Sequence, residues 1–155
     1  MIKLLETDLT ALQKREVKSE FLKYSELCVE GQVQLELFSK IIKNASLLVN
    51  SPSVKKKNLS IFIIAISIYI GLPQKLTYHC IKDKYLVAAL MYFMDPDDVI
   101  PDHVPYIGFN DDAYFVELAL EKASVSASGK VFKIAELISN YGLEHGLEVW
   151  QNGAI

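Results

Sequence analysis

The chain has few of the residues that build disulfide-bonded or zinc-bound domains. Its 155 residues include two cysteines, three histidines and one tryptophan. Cys28 and Cys80 lack the close spacing and the paired histidines of a zinc site, so the sequence predicts two reduced thiols rather than a disulfide framework. The first residues, Met1 to Glu6, contain no apolar stretch followed by a cleavage site, so no signal peptide is predicted. We therefore expect a cytoplasmic protein.

Basic residues are also too few for a general nucleic-acid-binding protein. Sixteen Lys and Arg stand against nineteen Asp and Glu, which gives a net charge of −3. Phosphate contacts need a basic face, so no nucleic-acid partner is expected. The one basic run, Lys55 to Lys57, has no second cluster beside it. Its simplest interpretation is the solvated first turn of a helix, and a phosphate or anionic-lipid contact is the alternative.

No apolar segment is long enough to cross a membrane. The longest, Leu59 to Ile70, is apolar on every face but only twelve residues long, whereas a bilayer span needs about 20. The pattern therefore predicts a central core helix. Its many β-branched residues leave a buried strand as a lesser alternative. A peripheral membrane contact through Lys55 to Ile70 also stays open but is not favoured.

The rest of the chain is typical of an all-α protein. We expect one domain, residues 1–155, folded as a compact bundle of about six helices with an acidic, proline-rich loop between helices four and five. The predicted core packs Leu59–Ile70 against Tyr85–Met94 and Tyr114–Leu120. The first predicted helix runs from Asp8 to about Cys28 and is capped by Thr7 or Asp8, and the second has Val33, Leu37, Ile41, Ala45 and Leu48 on its apolar face. The third begins after the cap Ser53 and ends at Ile70, and the fourth is Gln74–Met94. The fifth runs from Asn110 or Asp111 to about Ser128, and the sixth is Lys130–Tyr141, which Gly142 ends.

The acidic loop, residues 95–112, is the most unusual stretch. It holds six of the nineteen acidic residues and three of the five prolines. Pro96, Pro101 and Pro105 fix backbone angles and exclude helix from the residue before each of them. Gly108 supplies the turn back. The loop is therefore predicted to be stiff, and a charged loop of this length is more often functional than not.

Four carboxylates of this loop, on Asp98, Asp102, Asp111 and Asp112, are the candidate site. If its two arms meet, pairs of carboxylates about 6 Å apart would repel by about 3 kcal/mol at an effective dielectric near 20. A helix N-terminus, a neighbouring base, protonation or a cation must offset this repulsion. Helix caps and ion pairs are the simpler solution, and Mg²⁺ or Ca²⁺ is the alternative. His103 is a candidate general base, although an exposed or ion-paired histidine is commoner.

The segment from Tyr92 to Asp112 resembles the core motif of the YkvA-like family, a bacterial domain of unknown function. The resemblance covers about residues 76–120 and leaves residues 1–72 unassigned. The family's acids, prolines and glycine fall on Asp98, Asp102, Asp111, Asp112, Pro96, Pro101, Pro105 and Gly108. Asp95, Asp97, His103 and Asn110 depart from the pattern. Their polarity argues against a membrane hairpin, and the family implies no reaction.

These observations favour a non-enzymatic helical protein without a cofactor. Its acidic loop would be a rigid staple and an interaction surface for a protein partner or a second copy, as in an inhibitor or immunity-type factor. The second hypothesis is a divalent-metal-dependent phosphoester hydrolase, with the four family-matched aspartates as ligands and His103 as base. The third is a peripheral membrane protein.

Overall fold

The described residues of the computed structural model, 9–27, 40–41, 43–47, 54–71, 84–94, 110–142 and 145, are almost entirely helical. Residues 40–41 and 43–47 are helical, and the remaining helices are α1 (Ala11–Leu27), α2 (Val54–Gly71), α3 (Lys84–Phe93), α4 (Asn110–Lys122) and α5 (Val125–Tyr141). No strand occurs in this part of the chain. The predicted all-α fold class is confirmed.

Helix α2 lies at the centre of the apolar core. Residues 59–61 and 63–70 are all buried, and Phe62 is partly buried against the same core. The helix packs along α5 and also touches α3 and α4. Burial on every face follows from apolar side chains on every face. Within the described residues, no helix combines the length and the apolar content that a membrane span requires.

Helix α5 is the most extensive partner of α2, and the predicted core did not include it. Its buried side chains lie three and four residues apart on one face: Ala127, Val131, Ile134, Ala135 and Ile138. The predicted partners, α3 and α4, also contact α2. The core predicted from the sequence was therefore correct but incomplete.

The boundary between α4 and α5 differs from the predicted one. The sequence placed the break at Ser128 and Gly129, whereas α4 ends at Lys122 and Gly129 lies inside α5. The reason is an N-cap at Ser124, whose Oγ accepts a hydrogen bond from the backbone N–H of Ala127 at 3.1 Å. The Ser128 hydroxyl donates to the Leu120 carbonyl at 2.6 Å. These two serines therefore connect α4 and α5.

Helix α1 begins with a capping box two residues after the predicted start. The Gln13 N–H donates to Thr10 Oγ1 at 3.1 Å, and the Thr10 N–H donates to Gln13 Oε1 at 2.9 Å. Two backbone donors at the helix start are thereby satisfied. The predicted caps, Thr7 and Asp8, lie outside the described residues.

The predicted end of α5 at Gly142 is confirmed. Gly142 has a φ of 83°, and its N–H donates to the Ile138 carbonyl. Glycine adopts this left-handed region without the steric cost of a Cβ. Of the predicted second helix, Ile41 and Ala45 are buried as expected. Val33, Leu37 and Leu48 lie outside the described residues, as does the predicted cap Ser53.

Replacing Ile64 by Asp should abolish folding. Ile64 is fully buried in α2, and a carboxylate without a polar partner in that apolar core costs several kcal/mol. Ile64→Ala should cost about 2–5 kcal/mol. Circular dichroism melts measure both effects, and Leu47→Asp, at a residue that is 74% exposed, is the control. A cooperative melt of Ile64→Asp near the wild-type temperature would show that α2 is not central to the core.

Candidate functional site

The ends of α3 and α4 form the base of the acidic loop. Helix α3 ends at Phe93, α4 begins at Asn110, and the two helices pack on each other. The hydroxyl of Tyr92 donates to Asp111 Oδ2 at 2.9 Å. This hydrogen bond links the last turn of α3 to the first turn of α4. Sixteen residues, 94–109, lie between the two helices, and we call the last fifteen of them, 95–109, the acidic segment.

Asp111 and Asp112 lie in the first turn of α4, as their pattern predicted, and both are buried. Their side chains are 0% and 1% exposed. The positive end of the helix dipole stabilises a carboxylate there by about 0.3–1 kcal/mol, or up to about 2 kcal/mol when it is partly buried. Burial of a charge costs more than this unless hydrogen bonds or ion pairs offset it. The Tyr92 hydroxyl supplies one such hydrogen bond. A third acid of α4, Glu117, is also buried.

Five aromatic rings, one of them that of Tyr92, form a connected set of contacts, and we call them the aromatic cluster: Phe21, Tyr24, Tyr85, Tyr92 and Phe115. The rings of Tyr92 and Phe115 stack with centroids 4.4 Å apart. The Tyr24 ring meets both of them edge-on, at 5.5 Å and 6.0 Å. Phe21 stacks on Tyr85 at 5.5 Å and meets Phe115 edge-on at 5.2 Å. Such pairs contribute about 0.5–1.5 kcal/mol each beyond their buried area. The cluster therefore holds α1, α3 and α4 together.

Two lysines lie over rings near the cluster. Lys14 Nζ of α1 is 5.9 Å from the ring centroid of Tyr114 on α4. Lys84 Nζ is 5.3 Å from the centroid of Tyr85, the next residue in the chain. An exposed cation–π contact of this kind contributes about 0.5–1 kcal/mol. The first of them adds a link between α1 and α4.

The α3 side of the base is also tied to the helical residues 43–47. Asn44 Nδ2 donates to the sulfur of Met94 at 3.4 Å. In turn, the Ser60 hydroxyl of α2 donates to the Ala45 carbonyl at 2.6 Å. Met94 immediately precedes the acidic segment. Its position is therefore linked to α2 through two hydrogen bonds, which the adjacent residues Asn44 and Ala45 connect.

The structure describes two of the predicted site residues, Asp111 and Asp112, and places them as consecutive residues in the first turn of α4. The others lie outside the described residues: Asp98, Asp102, His103, Pro96, Pro101, Pro105 and Gly108. The part of the chain with described positions contains no group of three or more His, Cys, Asp or Glu side chains arranged to hold a metal ion. The four-aspartate metal site thus stays a prediction.

The aromatic cluster was not among the features predicted from the sequence. Phe21 and Tyr24 are three residues apart on α1, and Tyr85 and Tyr92 are seven apart on α3, so each pair lies on one helix face. This spacing was the available signal. It predicts an aromatic face on each helix, but it does not tell which helices meet through those faces.

The site coincides with the family motif. Residues 85–118 match the sequence model of a family described as "Protein of unknown function (DUF1232)". The resemblance drawn from the motif is confirmed. The DUF1232 match begins at Tyr85 and ends at Leu118, so it contains nearly all of α3, the acidic segment and most of α4. Helices α1, α2 and α5 lie outside it. No curated protein and no solved structure matches the chain significantly.

Replacing Tyr92 by Phe should destabilise the protein by about 1.5–3 kcal/mol, because a hydrogen bond to a buried carboxylate is lost while the ring stays. Denaturant unfolding measures the change. Tyr141→Phe, at an exposed tyrosine, is the matched control. In a double-mutant cycle with Asp111→Asn, a coupling free energy above about 1 kcal/mol is expected. Strictly additive effects would show that the Tyr92 hydroxyl and the Asp111 carboxylate do not depend on each other.

Proposed function

We propose that this protein is a non-enzymatic interaction protein whose acidic segment binds a basic surface of a partner protein. The observation that carries the proposal is the hydrogen bond between Tyr92 and Asp111, which joins the helices on either side of the segment. A binding segment whose ends are fixed loses less conformational freedom on association. Pro96, Pro101 and Pro105 reduce that freedom further.

The charge of the acidic segment supports a basic partner. The segment contains four aspartates, Asp95, Asp97, Asp98 and Asp102, and no Lys or Arg. Complementary charge raises the association rate and rejects partners of the wrong charge. An inhibitor or immunity-type factor fits this description, as does a second copy of the chain that offers a basic patch. The proposal places the protein in the cytoplasm, where Cys28 and Cys80 would stay reduced.

A second candidate function is the metal-dependent hydrolase. One observation favours it, namely that the consecutive residues Asp111 and Asp112 are both buried in the first turn of α4, next to a segment with further carboxylates. Asp98 and Asp102 would complete an oxygen ligand set for Mg²⁺ or Ca²⁺, and His103 would be the base. We do not propose the peripheral membrane role, because the apolar residues that it requires, 59–70, pack in the core.

Thermal melts of the Asp112→Asn variant distinguish between these two functions. If Asp112 stabilises the N-terminus of α4 and forms ion pairs, the substitution should lower the free energy of unfolding by about 1–2 kcal/mol, with or without a chelator. If the acids bind a cation, the change should stabilise the metal-free protein by removing repulsion and erase any metal-dependent rise in melting temperature. We expect destabilisation and no response to millimolar Mg²⁺ or Ca²⁺. Glu136→Gln, at an exposed acid of α5, is the control. A rise of several degrees in the wild type on adding either ion would favour the enzyme.

Replacing the aspartates of the acidic segment by neutral residues should weaken binding of the partner. In the test variant, Asp95, Asp97, Asp98 and Asp102 are all replaced by Asn. In a control variant with the same change in net charge, four exposed acids are replaced by Gln: Glu16, Glu26, Glu121 and Glu136. Quantitative co-purification from the native host is expected to show partners that the wild type and the control retain and the test variant loses. Their affinity for the test variant should fall about tenfold or more.

Equal retention by both variants, with unchanged circular dichroism spectra, would contradict the proposed role of the segment. Equal loss by both would point to net charge rather than to this surface. Raising the salt concentration should weaken wild-type binding, because exposed charges are screened over about 8 Å at physiological ionic strength.

A further inference from the structure

Two of the three methionines in the sequence lie one helical turn apart, at the end of α3. Met91 is 37% exposed, and Met94 is partly buried against the apolar core. Neither side chain is closed off from solvent, so a small oxidant reaches both. Oxidation of a thioether gives a sulfoxide, which turns a flexible apolar side chain into a polar one. The consequence of oxidation therefore depends on which groups face each sulfur.

The sulfur of Met94 faces an amide donor. Asn44 Nδ2 donates to this sulfur at 3.4 Å, from a residue 50 positions earlier in the chain. A thioether sulfur is only a weak acceptor, and water would satisfy the amide of the exposed Asn44 at least as well. A sulfoxide oxygen carries a large partial negative charge and is a much stronger acceptor. The Asn44 donor is therefore better matched to the oxidised methionine than to the reduced one.

The packing around Met94 makes such a donor important after oxidation. A new polar oxygen beside the core costs free energy unless a hydrogen bond satisfies it. The backbone that carries Asn44 is held in place, because the next residue, Ala45, is fully buried and its carbonyl accepts a hydrogen bond from Ser60 of α2. The side chain of Asn44 is exposed and has room to move back from the added oxygen. A sulfoxide at Met94 can thus be satisfied without a shift of the helices.

We propose that Met94 is an oxidation site for hydroperoxides and that Asn44 holds its sulfoxide. The Met94 sulfur attacks the terminal oxygen of the hydroperoxide, so that an S–O bond forms while the O–O bond breaks. The proton on the transferred oxygen passes to the departing oxygen, which leaves as water or an alcohol. The sulfur is oxidised by two electrons and the peroxide is reduced by two. The Asn44 N–H then donates to the new oxygen, which strengthens the link between residues 43–47 and the residue before the acidic segment. This proposal does not depend on the partner proposed for that segment.

Peptide mass spectrometry of the folded wild type after limited treatment with hydrogen peroxide tests the site. We expect one added oxygen on Met94 as well as one on the exposed Met91. An unreacted Met94 under conditions that fully oxidise Met91 would overturn the proposal.

Thermal melts before and after peroxide treatment test the role of Asn44. They use the Met91→Leu protein, in which Met94 is the remaining methionine of α3. Asn44→Asp keeps the size of the side chain but replaces the N–H donor by an acceptor. In the variant with Asp at this position, oxidation should lower the melting temperature by about 2–4 °C more than in the protein that keeps Asn44, because one hydrogen bond to the sulfoxide is missing. Lys43→Ala, at the exposed neighbouring residue, is the control and should respond like the protein with Asn44.

A change of equal size with Asn and with Asp at position 44 would overturn the proposal, because Asn44 would then not hold the sulfoxide. A variant with both Met91→Leu and Met94→Leu measures the effect of peroxide on Met1 and the two cysteines. The difference between Asn44 and its Asp variant should vanish in that background. Its persistence there would assign the effect to another residue and would likewise overturn the proposal.

Discussion

The burial of a carboxylate at the start of α4 is the constraint on which the site depends. Asp111 is fully buried, so its charge must be met by hydrogen bonds, ion pairs and the helix dipole. The Tyr92 hydroxyl donates to the Asp111 carboxylate from one direction, and the stacking of the Tyr92 ring on Phe115 fixes that direction. Phe115 follows Asp111 by four residues, so both lie on one face of α4. One side chain of α3 thus contacts two of α4 and fixes how the helices align.

The same stacked pair of rings connects the site to the rest of the fold. Tyr24 of α1 packs edge-on against both Tyr92 and Phe115. The side chains that align α3 with α4 therefore also contact α1. On the other side, α2 contacts α3 and α4 while it packs along α5. The apolar pairing of α2 with α5 can stabilise the fold by burial alone.

The sequence predicts the parts of this structure that local chemistry decides. Helix α2 was predictable because its apolar residues point in all directions, and the start of α4 was predictable because carboxylates favour a helix N-terminus. The break before α5 was not, because Gly129 looked like a stop while the decisive interaction was the cap made by Ser124. The pairing of α2 with α5 and the meeting of Phe21 with Phe115 are contacts between distant residues. A periodic pattern shows that a helix has an apolar face, but it does not identify the helix that covers it.

The buried acids also separate two ways in which the acidic segment can act. A carboxylate in water at the end of a loop loses little when it binds a cation or a lysine, whereas Asp111 and Asp112 have already lost their hydration on folding. They are therefore better suited to fixing the base than to making new contacts. Under the function that we propose, the aspartates of residues 95–109 are the groups that contact a partner. A rigid base and a charged segment between its two helices are what a binding surface needs when affinity depends on limiting the entropy lost on association.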